Sequence, residues 1–582
     1  MSINNYYRDE LSYLREMGNL FAKANPRLSR YLAREASDPD VERLMEGFAF
    51  LVGRLRQRLD AEMPELSLSL LQLIWPHYLR PVPPMTMVQF RFAEGASGDS
   101  IEVPRGTYVQ SAPVDGAAVP FATSYGMSVL PLEVASVDLD NRKNSSQLTM
   151  GFKRLAGTDL HVLSAGPLNI FFNSLNDSVV SRLLYLFFME KIASVTFRAE
   201  GIEPTTVNLT VEPLGFAADE ATLDYPQGSF HGFRILQEYF ACPEKFMCVR
   251  LRGLEAFAGL QVDEFSLSIE MSAPFPGGGR LTPQHFALNT TPAVNLFQTE
   301  GRALTVSHER SEYPVRPMGD SDKFSVHAIN SAVGWVQGSG ARVDYEPFEK
   351  FHHDQKEDGV AGLYFRTQVR PSVLGRGIDH YLSFVTRLGK IGVPESETVS
   401  MQLLCSNGQL ASKLGVGTIN QPTSTTPAKL EYTNITPVLS EVPPPLEDGI
   451  LWTLIANLAR NFASMIDLDA LRTVVGAYDF RALLDHQAAM QRNLLLQSFH
   501  GFERRGVDII RQGRPVRGFE VVLSVSEKQM GGEGEMYLFG TIFDRFLKSY
   551  STINSLHRFT MVGTDANVVY KWRAKWGEAA TL

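Results

Sequence analysis

The sequence predicts an α+β protein, with an N-terminal helical segment, a β-rich multidomain body and a C-terminal α/β region. Three observations carry that reading. From Asp38 to Trp75 apolar residues recur at three- and four-residue steps, the spacing of a helix face. From Met85 the pattern turns to alternation, as in Met87-Val88-Gln89-Phe90-Arg91-Phe92, and Gly and Pro then punctuate the chain at strand spacing. Past Pro443-Pro444-Pro445 helical spacing returns from Leu451. A chain of 582 residues, 44% of them hydrophobic, can fill more than one core, and the punctuation divides it at 1–84, 85–275, 276–445 and 446–582.

The N-terminal region reads as helices broken by proline. A helix is expected from Asn5 to about Ala24, Pro26 interrupts it, and Leu28 to Ala36 forms a further short turn. Asp38 is a good N-cap and Pro39 a good first helical residue, because the carboxylate accepts from an orphan amide and proline has no amide to leave unpaired. Val41, Leu44, Met45, Phe48, Leu51, Val52, Leu55 and Leu59 then make one broad apolar face, opposite Arg43, Arg54, Arg56 and Arg58 among Glu42, Glu46 and Asp60. Burying those eight side chains contributes about 10–20 kcal/mol before entropy is subtracted, so this helix needs a partner, within the chain or in another. Pro64 ends it. A second apolar helix runs from Leu66 to Trp75 and stops at Pro76, and the prolines of WPHYLRPVPP predict a rigid extended exit.

The body reads as strands. SIEVPRGTYVQS, LPLEVASVDLD, DLHVLSAGPLNIFFN, SVTFRAE, VNLTVEPLGF, FMCVRLRG and DEFSLSIEMS all carry strand composition, with one helix predicted from Ser178 to Lys191. Three consecutive glycines in PFPGGGR, Pro274 to Arg280, mark a boundary. A middle region follows, closed by the polar stretches GTINQPTSTTP and EVPPPLEDG. The last region opens with a helix from Leu451 to Ser464 and a second from Leu468. It turns to strand in GFEVVLSVSEK, passes the glycine-rich MGGEGE, and closes with a helix from Tyr537 to Tyr550 that buries Leu538, Ile542, Phe543 and Phe546.

Composition narrows the function. A formal charge of −9 and a pI near 5.8 oppose a dedicated nucleic-acid binder. The first residues carry early acids and no apolar core, so no signal peptide is expected, and Leu183 to Met189 is far too short to span a membrane. Cys242, Cys248 and Cys405 have no metal or redox spacing and read as reduced structural thiols in a cytosolic chain.

No phosphate-binding loop, zinc helix or nucleophile elbow is present, and no cofactor is expected. His352-His353-Asp354, with His380 or Asp379, is the best metal candidate and the basis of an alternative reading as a metal-dependent hydrolase. A polar loop beside the acidic run QKED explains the same residues without an ion. Paired aspartates such as Asp38/Asp40, Asp138/Asp140 and Asp467/Asp469 fit caps and turns. Trp75 and Tyr78 fit a core or an interface anchor.

Several stretches together resemble the TssF family (also called VasA or ImpG) of bacterial type VI secretion systems. They are Tyr6-Tyr7 with Glu10-Leu11 and Tyr13-Leu14-Arg15, DPDVERLMEGFAFLVGRLR from Asp38, WPHYLRP from Trp75, and NTTPAVNLF from Asn289 to Phe297. GIDHYLSFV from Gly377, Leu404-Cys405-Ser406-Asn407, RGFEVVLSV from Arg517 and YLFGTIFDRFLKSYSTINS from Tyr537 extend the likeness over nearly the whole chain.

The resemblance implies a non-enzymatic wedge protein like those of contractile phage tail baseplates. It implies two copies of the chain per TssG, with TssK and TssE, placed around the VgrG spike and Hcp tube beneath the TssB/TssC sheath. That assembly docks at the cytoplasmic face of the inner membrane; a wedge of another phage-like contractile particle is the alternative context. On this reading the interface candidates are Val41, Leu44, Phe48, Leu51, Leu55, Trp75, His77, Tyr78, Asn295 and Phe297.

Overall fold

Proline sets the helices of the first part. The computed structural model describes residues 7, 8, 11, 13, 14 and 17, and then 39–577 apart from 63, 97, 156–165, 175–176, 226–230, 259, 261, 277–279, 308–309, 320–322, 349–362, 373–376, 387–395, 447, 460–466, 512–513 and 552–554. Helix α1 spans Pro39–Glu62 and α2 spans Pro64–Ile74. Pro64 therefore opens a helix as well as closing one, because its ring is compatible with a first helical position. The expected extended exit is corrected at its start: Pro76–Leu79 is a 3₁₀ turn, with the Tyr78 amide bonded to the Trp75 carbonyl at 3.1 Å. The predicted turn at residues 28–36, the cap at Asp38 and most of the first helix lie outside the described residues.

The chain divides into two compact units, Met1–Leu79 with Leu446–Leu458, and Arg80–Pro445 with Ala459–Leu582. The first is helical and takes in most of α5 (Asp448–Ala459), which buries Leu451 and Leu454. Leu71, Trp75, Tyr78 and Ala49 are buried as well.

The second unit is built from sheets. One has the strand order Leu430–Asn434, Met85–Phe92, Thr290–Val294, Pro120–Thr123, Tyr108–Gln110, so it joins segments from either side of the PFPGGGR loop. Its longest strand is Met85–Phe92, where Val88 pairs with Thr291 on one side and Asn434 on the other. Val88, Phe90, Val109, Phe121, Ile419 and Tyr432 form its core. A second sheet places Phe152, Phe265 and Phe197 in a row of stacked rings 5.0 and 5.2 Å apart, which Phe257 of the 3₁₀ turn Leu254–Phe257 extends by stacking on Phe197 at 4.1 Å. A four-stranded sheet holds the Cys248–Arg252 strand, and an eight-stranded one is organised on Ser325–Val336 and Glu397–Ser406.

The predicted helix from Ser178 to Lys191 has the expected bounds, but its winding changes along the way. Helix α3 runs Ser178–Leu186 under an Asp177 cap and passes into a π-helical turn, Phe187–Lys191, before the strand Ile192–Ala199. Helix α4, His231–Ala241, has no counterpart in the expectations. It buries Phe233 and Leu236 and also Arg234, Gln237 and Glu238, so no polar face marks its period.

The C-terminal α/β region is as expected in kind. Strand Arg514–Val525 pairs in parallel with Leu556–Gly563, and the connection between them carries the short α8 (Glu527–Met530) and α9 (Glu533–Tyr550). A parallel pair requires such a crossover. Leu538, Ile542, Phe543 and Phe546 of α9 are all fully buried. Before the strand Arg514–Val525 and its antiparallel partner Phe499–Arg511 come α6 (Leu468–Gly476), at the predicted start, and α7 (His486–Gln497), which was not expected.

Candidate assembly surface

The broad apolar face of α1 is two adjacent stripes. Val41, Met45, Ala49 and Val52 turn inward, Ala49 fully and the others partly buried. Leu44, Phe48 and Leu51, at i, i+4 and i+7, are 73%, 58% and 64% exposed. Three large apolar side chains in a row on one helix face are more than the scattered exposure that any surface shows. The Leu55 side chain lies outside the described residues. Leu73, Ile74 and Trp452, none of them among the interface candidates, are exposed in the same unit. Trp452 follows the buried Leu451 on α5 and so points away from it, a signal the helix period offered.

The other candidates lie inside. Trp75, His77 and Tyr78 are buried and form one aromatic cluster, with ring centroids 5.8 Å (Trp75 to His77), 5.2 Å (Trp75 to Tyr78) and 5.3 Å (His77 to Tyr78) apart. Pro76 makes this possible by starting the 3₁₀ turn that brings residues 75, 77 and 78 together. Asn295 is fully buried: its side-chain amide donates to the Pro120 carbonyl at 2.6 Å and to Asn407 Oδ1 at 2.9 Å. Phe297 is half-buried and meets the Phe324 ring edge-on at 5.3 Å.

Burial pushes the thiols of Cys248 and Cys405 up to about 12 and that of Cys242 higher still, so none is a thiolate nucleophile near neutrality. His352, His353 and Asp354 lie outside the described residues, and His380 and Asp379 are both buried in the strand Ile378–Thr386. Among the described residues no cluster of three His, Cys, Asp or Glu side chains has metal-binding geometry. No described helix is long and apolar enough to cross a membrane. One buried charge group is structural: Lys245 donates to Glu238 at 2.5 Å, and the other Glu238 oxygen accepts from the amides of Thr222 and Leu223 at 2.8 and 2.9 Å.

Comparison with known proteins is consistent along the chain. A family model described as "Type VI secretion system, TssF" matches residues 1–579. The type VI secretion system component TssF1 of Pseudomonas aeruginosa strain PAO1 is 27% identical over 634 aligned positions, covering 99% of both chains. A chain in the cryo-electron microscopy structure of a type VI secretion TssK–TssF–TssG baseplate subcomplex superposes with a TM-score of 0.77 at 27% identity, covering 93% of this chain and 99% of that one. A chain of the type VI secretion baseplate complex, 24% identical and matched over 100% of both, shares the fold at a TM-score of 0.64.

Proposed function

The chain belongs to the TssF family of type VI secretion system proteins, and from that membership we propose that it is a structural wedge subunit of the secretion baseplate. The observation that carries the proposal is the row Leu44, Phe48 and Leu51 on α1, apolar and exposed in the single chain. Covering three such side chains contributes about 5–9 kcal/mol before the costs of association, enough to join helices from several subunits into one bundle. TssG and TssK are the partners that the matched subcomplex names, and the chain takes its place with them by the same fold. Two copies per TssG, contacts with TssE, and a position around the VgrG spike and Hcp tube beneath the TssB/TssC sheath complete the reading. Such a subunit works in the cytoplasm, docks at the inner membrane through the rest of the machine, and catalyses nothing. Its part is mechanical, since large interfaces with two arrangements hold a sheath extended and release it.

Co-expression with the TssG of the same system, affinity purification and native mass spectrometry test this. A stable complex with more than one copy of this chain per TssG is expected. A folded monomer that ignores TssG overturns the proposal.

A further inference from the structure

The strand Phe499–Arg511 is the outermost of its sheet: it pairs with Arg514–Val525 on one side and, among the described residues, with no strand on the other. Its root is fixed. Phe499 is buried, and the Arg472 guanidinium of α6 donates to the Phe499 carbonyl at 2.7 Å. Arg514–Val525 meets the parallel strand Leu556–Gly563 only from Gly518 onward, and Gly518 stands opposite Val507. Residues 508–517 therefore run on beyond the sheet as a two-stranded ribbon without a third strand.

The ribbon is exposed and basic. Glu503, Arg504, Arg505, Asp508 and Arg517 are exposed, and Ile510, at 79%, is the most exposed large apolar side chain among the described residues. From 503 to 517 the sequence has five arginines against two carboxylates, in a chain whose net charge is −9. Arg505 donates to Glu503 at 3.1 Å, which leaves Asp508 the one carboxylate among the other arginines. Arg504 lies over the Phe519 ring at 4.4 Å, so its charge is held beside the strand.

The two edges of the ribbon differ. Proline offers no amide, so Pro515 blunts the outer edge of Arg514–Val525. Phe499–Arg511 carries no proline, and its one irregularity, between Phe499 and Gly501, lies at the root. Such an edge offers a row of amides and carbonyls to another chain. Charge selects which chain: a second copy brings the same excess of arginine. A nucleic-acid duplex would use the charge and leave the backbone edge and Ile510 unused. An extended acidic segment uses all three.

We propose that the edge at residues 502–510 accepts an extended acidic segment of a partner protein as an added strand, with carboxylates opposite Arg504 and Arg505 and β-branched side chains covering Val507 and Ile510. The site lies apart from α1 and stands whether or not the chain is a baseplate wedge.

The test uses the full chain and three fluorescein-labelled peptides of about ten residues, the length of a long strand. One alternates glutamate and valine, one alternates lysine and valine, and the third is the glutamate peptide with its central valines replaced by proline. Fluorescence anisotropy should show the first binding at least tenfold more tightly than either of the others. Arg504→Glu/Arg505→Glu should weaken that binding at least tenfold. Ile510→Glu, at a side chain already in water, should weaken it as well with an unchanged thermal melt, which keeps the test open should the loss of the Arg504 ring contact disturb the fold. Equal binding of the glutamate and proline peptides, no binding by any peptide, or tighter binding of duplex DNA than of the glutamate peptide overturns the proposal. So does a parent chain that dimerises through this edge, seen by sedimentation and removed by Ile510→Glu.

Discussion

Asn295 and Asn407 hold each other reciprocally: the Asn295 amide donates to Asn407 Oδ1 at 2.9 Å, and the Asn407 backbone amide donates to Asn295 Oδ1 at 2.6 Å. The Asn295 amide also takes the Pro120 carbonyl, so one buried side chain satisfies three groups on distant segments of its unit. Asn295→Ala leaves them desolvated and unpaired, at about 1–3 kcal/mol for a buried polar group. A loss of about 2–4 kcal/mol is expected in urea unfolding, whereas Asn420→Ala, on the surface, should stay within about 0.5 kcal/mol.

Phe48→Glu and Leu51→Glu should leave the isolated chain folded, because both side chains already stand in water. Their melts should match the parent within about 0.5 kcal/mol. Co-purification with TssG should be lost. Ala49→Glu, between them in sequence but fully buried, should instead lower the melt of the chain itself by several degrees. A complex that survives Phe48→Glu would show that this stripe is not the joint.

The contrast between Phe48 and Ala49 also shows what the sequence could and could not disclose. Asp38-Pro39 and Pro64 placed the boundaries of α1 and α2 well, since proline restricts the backbone whatever surrounds it. Helix α9 was legible because Leu538, Ile542, Phe543 and Phe546 share one face against one core. Periodicity alone could not divide the stripe on α1, because packing within the unit takes Met45, Ala49 and Val52 and leaves Leu44, Phe48 and Leu51. Helices α4 and α7 were illegible for opposite reasons: α4 buries Arg234, Gln237 and Glu238 with its apolar residues, and α7 spreads apolar residues over two faces. Asn295 carried no local signal, for its partners lie far away in the chain.

Lys245→Met should cost about 3–5 kcal/mol, because it strands Glu238 inside the protein without its cation. Arg234, 3.9 Å from Glu238, offsets only part of the loss. Adding Glu238→Gln should recover a substantial share, since glutamine keeps an acceptor for the Thr222 and Leu223 amides and carries no charge. A double-mutant cycle in urea measures the coupling, and strictly additive losses would show that the pair does not act as one unit.

His327, on the strand Ser325–Val336, and His380, on Ile378–Thr386, make stability depend on acid. Burial first, and then the charge of Arg80, hold His327 down to about 3 and His380 to about 4, although Asp379 beside His380 pulls the other way. Both folded values lie below the unfolded value near 6.5, so between about pH 6.5 and 4 the unfolded chain binds protons that the folded one refuses. Stability therefore falls on acidification through that window, by up to about 1.4 kcal/mol per pH unit for each histidine, and is untouched above pH 7. Urea unfolding at pH 7, 6 and 5 should show this slope in the parent and a flatter one in His327→Gln/His380→Gln. Because glutamine cannot titrate, equal slopes in the two proteins would mean that other groups carry the acid response.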